Sequence, residues 1–127
     1  MIRERALKVV LGLVGLLFTA GIYPLTRDLW RMVASDYGDD MMLSLYVPLG
    51  IFLLMAVRNP PANRSLIAFA AWSSLAHGAV MARLGIHNAS ERAGFMVAAA
   101  VLVAIGVTLI ALAPGKPSRE LASATAA

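Results

Sequence analysis

The chain has 127 residues, of which 60% are hydrophobic and 14% charged, with a net charge of +4 and no cysteine. A soluble domain of this length has no interior large enough to bury so much apolar surface, and the lack of cysteine removes disulfides, thiolate metal sites, iron–sulfur clusters and thiol nucleophiles together. The basic residues flank apolar segments and form no stripe with interleaved aromatics, so they point to membrane topology and away from nucleic acid.

A bilayer core about 30 Å thick needs about 20 apolar residues per helix. Four segments meet that requirement in chain order, at residues 7–25, 41–57, 65–84 and 94–113. The expected fold is all-α: a four-helix transmembrane bundle, with residues 1–113 as the membrane domain and residues 114–127 as a disordered cytoplasmic tail rich in Ala and Ser. Arg3, Arg5 and Lys8 ahead of the first apolar run also resemble a secretory signal peptide. A retained first span is the preferred reading, because Phe18 stands where cleavage after Ala20 calls for a small residue.

After the first span, residues 26–33 read as a short interfacial helix in the first outer loop. Leu29, Trp30 and Val33 share one side, and Asp28 and Arg31 are spaced for a surface pair. Asp39 and Asp40 stand where the second span begins, as carboxylates suited to a helix N-terminus. With Asp36 they form an acidic group that reads as capping and solvation more readily than as a cation site. Residues 58–64, with Pro60 and Pro61, form a turn too short for anything but a connection between antiparallel neighbours. Ser65 then reads as the N-cap of the third span and Ser90, followed by Glu91, as that of the fourth. Pro114, Gly115 and Pro117 end the fourth.

Orientation follows from the basic residues of the short loops. Arg3, Arg5, Lys8, Arg58, Arg64, Lys116 and Arg119 fall on one side, and Arg27, Arg31, Arg83 and Arg92 on the other. Seven against four places both termini inside.

Polar groups within spans are the candidates for function, since burying them in lipid costs several kcal/mol. His77 is the foremost, with Ser73 one turn before it, Ser74 and Trp72 nearby, and Tyr46 of the second span as a further member of a candidate polar pocket. One reading is a proton relay, a quinone or haem contact, or a polar ligand pocket; the other is a neutral histidine that hydrogen-bonds to Ser or Tyr across a helix interface. The second histidine, His87, falls in a loop, so a bis-histidine haem site is not expected. No catalytic residue, metal or cofactor is assigned. Gly12, Gly15 and Gly21 in the first span, with Ala98, Ala99, Ala100, Ala104, Gly106 and Ala111 in the fourth, suit close helix approach within the bundle or between protomers.

Arg58, Asn59 and Pro60, then Asn63 to Ile67, then Ala71 to Ser74 and His77 resemble a family of small bacterial four-span inner-membrane proteins of unknown function. The likeness covers about residues 46–81, and it implies the four-span fold and a bacterial inner-membrane location without bringing an activity. A looser likeness, in helix number and size alone, is to the DoxX-like membrane proteins, some of which accompany oxidoreductases. The reading that follows is a multi-pass membrane protein acting as a structural or accessory subunit, whose partners are the lipid bilayer and either a second copy or another membrane protein. The alternatives are a membrane oxidoreductase or quinone-binding component with its pocket near His77, and a carrier of a small apolar solute.

Overall fold

The computed structural model describes residues 2–32 and 37–115, and every regular element there is helical. Val33, Asp36 and residues 116–127, including most of the expected tail, lie outside the described residues. Four helical stretches are long and apolar enough to cross a membrane.

Helix α1, Ile2–Ala20, begins before the apolar run does. Glu4 sits in its first turn and pairs with Lys8 one turn later at 3.5 Å, so the charged residues carry the helix into the polar region. Helix α2, Ile22–Arg31, follows after a break at Gly21. Pro24 is the cause, because it has no N–H for the Ala20 carbonyl and its ring crowds that carbonyl. The Gly21 amide turns back to the Phe18 carbonyl at 3.2 Å, and the Leu25 amide restarts the ladder on Gly21 at 3.1 Å. Helix α2 stands where the short helix at residues 26–33 is expected, and begins four residues before it. It buries no residue, and Trp30 is 91% exposed. Asp28 pairs with the adjacent Arg27 at 2.9 Å, not with Arg31 as the spacing suggested.

Helix α3, Tyr37–Ala56, carries Asp39 and Asp40 in its first turn and Pro48 in its interior. A single 3₁₀ turn, Pro60–Asn63, leads directly into α4, Arg64–His87. The side chain of Asn63 donates to the Asn59 carbonyl at 2.9 Å, and because the 3₁₀ turn runs straight into the helix, Ser65 is already inside it and caps nothing. Helix α5, Arg92–Leu112, also starts without a side-chain cap. The Ser90 hydroxyl is occupied with Asn88 Oδ1 at 2.8 Å, while Arg92 Nε donates to the Gly85 carbonyl at 3.2 Å and closes the end of α4.

The helices pack as two tight hairpins, α1 with α3 and α4 with α5. Small residues permit it. A β-carbon on Gly50 would lie 2.6 Å from the Thr19 amide nitrogen, and one on Gly106 would lie 2.8 Å from the Ala71 carbonyl. Gly15 also lies at the α1–α3 crossing, whereas Gly12 has open space and plays no part in it. The hairpins join through a core of Leu11, Phe18, Leu53, Ile67 and Leu109, concentrated at the end that holds the N-terminus and the 3₁₀ turn. At that end Arg3 Nη2 donates to the Ala113 carbonyl at 2.9 Å and Arg64 Nε to the Pro114 carbonyl at 3.1 Å.

One neighbour relation differs from the expectation. The short turn makes α3 and α4 consecutive, yet they touch only lightly. Their facing residues include the bulky Leu45, Leu49, Phe69 and Val80, while Gly50 is turned to α1 and Gly78 and Gly85 to α5. A cleft is left between them.

Candidate functional site

The cleft has a volume of about 490 Å³, within the range of roughly 300 to 1,000 Å³ common for small-molecule sites. Helix α3 contributes Met42, Leu45, Tyr46 and Leu49, and α4 contributes Phe69, Ser73, Ala76, His77 and Val80. On α4 these positions recur at helical spacing and form one stripe. Several side chains of the walls are open to the surroundings, with Leu45 74% exposed. In a bilayer these surroundings are lipid.

At the floor, the Tyr46 hydroxyl and His77 Nδ1 share a hydrogen bond at 2.5 Å. The two rings are tilted with centroids 5.5 Å apart, and the other side of Tyr46 meets Phe18 edge-to-face at 4.7 Å. Tyr46 is thereby held between α1 and α4, which fixes the direction of its hydroxyl.

The proton on this bond follows from counting satisfied groups. If Tyr46 donates to Nδ1, the only group left over is the Nε2–H of a neutral imidazole. If Nδ1–H donates to Tyr46, the phenolic proton and the Nε2 lone pair are both left over, since neither residue has another hydrogen-bond partner among the described residues. The first arrangement is favoured. It presents one N–H donor in otherwise apolar surroundings, and Nε2 remains accessible from the cavities that His77 borders.

A second cavity of about 300 Å³ lies on the other side of the pair, lined by Phe18 of α1, Gly21 at the break after it, Leu43 of α3, Met81 of α4 and Ala98 and Val101 of α5, among others. Tyr46 and His77 border both spaces, so their hydrogen bond stands between the two.

Of the five residues singled out from the sequence, three come together here: Tyr46, Ser73 and His77. The Ser73 hydroxyl donates to the Ala70 carbonyl of its own helix at 3.2 Å and presents its lone pairs to the cleft. Ser74 is on another face, 0% exposed, with no hydrogen-bond partner for its hydroxyl among the described residues. Trp72 is 64% exposed on the outside of α4 and does not line the cleft. The sequence reading missed Leu45 and Phe69 as walls and Phe18 as the support of Tyr46. Phe69 had a signal, one turn before Ser73 on the stripe that leads to His77.

His87 is ten residues from His77 on the same helix, about 15 Å along the axis, so the two cannot share an iron. Among the described residues no group of His, Asp or Glu is arranged to hold a metal ion.

No curated protein and no solved structure matches the chain, so the looser DoxX-like resemblance has no match behind it. The model of a family of unknown function, DUF6632, matches residues 3–123. That is nearly the whole chain, and this multi-pass membrane protein belongs to the DUF6632 family.

Proposed function

We propose that the protein is an accessory component of the bacterial inner membrane that takes a lipid-soluble small molecule from the bilayer into the cleft between α3 and α4. The observation that carries this reading is the Tyr46–His77 pair at the floor of a cleft of about 490 Å³ whose other side chains, apart from Ser73, are all apolar. A polar donor in lipid surroundings is costly unless it is used, and the geometry provides room for the molecule that uses it. Exposed walls on both helices give that molecule a lateral route from the acyl chains. Both termini face the cytoplasm, a placement supported by the seven basic residues grouped with them against four in the other loops.

The test is native mass spectrometry of protein released from lipid nanodiscs. Wild type is expected to retain a small apolar adduct, and Leu45→Trp, which fills the cleft from an exposed position, is expected to lose it. Identical adducts in both proteins would remove the cleft as the binding site.

A further inference from the structure

The chemistry of the cleft restricts its ligand further, on the reading that the cleft is a binding site. None of its lining residues is Lys, Arg, Asp or Glu. An anionic headgroup would enter without a counter-charge, and desolvating a carboxylate against Leu45, Leu49 and Phe69 is prohibitive. The ligand is therefore neutral at the end that enters. The floor offers an N–H donor, because the Tyr46 hydroxyl is already committed to His77 Nδ1. The matching group is an uncharged acceptor. Phe69 supplies an aromatic wall and Met42 a polarisable one, and both favour a flat ring over a branched aliphatic head.

We infer that the cleft binds a lipid quinone, a neutral ring dione with an apolar tail, with one ring carbonyl accepting a hydrogen bond from His77 Nε2–H and the tail leaving past Leu45 and Phe69 into the bilayer. A quinone carbonyl satisfies the leftover donor and disturbs nothing. A quinol hydroxyl oxygen accepts the same N–H and adds a proton of its own, for which Ser73 in the cleft wall supplies an acceptor, so both redox forms fit the site.

The experiment uses the full chain in nanodiscs with empty nanodiscs as blank, and measures saturable binding of a decyl-substituted benzoquinone, its quinol and decanoate. Expected are about one quinone per chain, quinol binding of similar strength, no competition by decanoate, and loss of binding in Leu45→Trp. His77→Gln retains an N–H donor and is expected to stay within a few-fold of wild type, whereas His77→Phe should lose about tenfold with its melting temperature recorded as the folding control. Decanoate competing as well as quinol, or His77→Phe binding the quinone as tightly as wild type, would overturn the inference. If Leu45→Trp removes the native adduct but wild type binds no quinone, the ligand class is wrong and the cleft reading survives. If neither adduct nor quinone responds to Leu45→Trp, both fall. The selectivity among the three probes decides the matter even where the His77 variants do not fold.

Discussion

Gly50 of α3 faces the backbone of Thr19 in α1 so closely that a β-carbon there would stand 2.6 Å from the Thr19 nitrogen and 2.8 Å from the Gly15 carbonyl oxygen. Both neighbours are main chain within a helix, and neither can yield without moving the helix. The first hairpin is set by this crossing.

Gly50→Ala is therefore expected to destabilise the protein by about 1 to 3 kcal/mol, the usual cost of overpacking a filled interface. Gly12→Ala is the matched control, since nothing lies within 4 Å of the added carbon. It should leave the melting temperature unchanged or raise it, as alanine is the better helix former. Thermal unfolding of both variants in detergent measures the contrast, and equal losses would show that the crossing is looser than described.

The Tyr46–His77 bond joins hairpins that otherwise meet mainly at one end. His77→Leu should cost about 0.6 to 2 kcal/mol, the range for hydrogen bonds between membrane helices, and Tyr46→Phe a similar amount. Because the two changes remove the same bond, the double variant should lose little more than the larger single loss. A double-mutant cycle by thermal or denaturant unfolding provides the check; additive losses would mean that the residues act independently.

Topology is open to a direct measurement. A reporter fused after Lys116 should read cytoplasmic and one inserted near Gly38 external, as the distribution of basic residues requires. A cysteine at the exposed Ala62, within the 3₁₀ turn, should react with an impermeant thiol reagent only after the membrane is opened. Labelling in intact cells would reverse the orientation.

The spans were legible because lipid imposes one rule on every residue of a crossing helix, and the uncharged runs obey it. Helix ends were less so. Ser65 and Ser90 have the right chemistry for caps, but Pro60 and Pro61 start a 3₁₀ turn that absorbs the first, and Asn88 competes for the second. Chain order was the weakest guide to packing. A short turn brings the ends of α3 and α4 together, but how far two helices stay in contact depends on the size of the side chains between them. Gly50 and Gly106 sit on the other interfaces. Within the site, Tyr46 and His77 were visible as polar residues in apolar runs, while the direction of Ser74 and Trp72 depended on the rotation of α4 in the bundle, which the sequence leaves open.

Helix α5 has no basic residue in its last turn, and its end is served from other parts of the chain: Arg3 donates to the Ala111 and Ala113 carbonyls, and Arg64 to that of Pro114 just beyond. Arg3 and Ala113 lie 110 residues apart in the chain, so the ribosome makes the first well before the second. Until α5 arrives, both guanidiniums lack these acceptors, and the small face of α4 at Ala71 and Gly78 lies bare to lipid. The clasp therefore gives assembly an order: α1 is locked only when α5, made later, has inserted, and until then the three preceding spans form an open bundle.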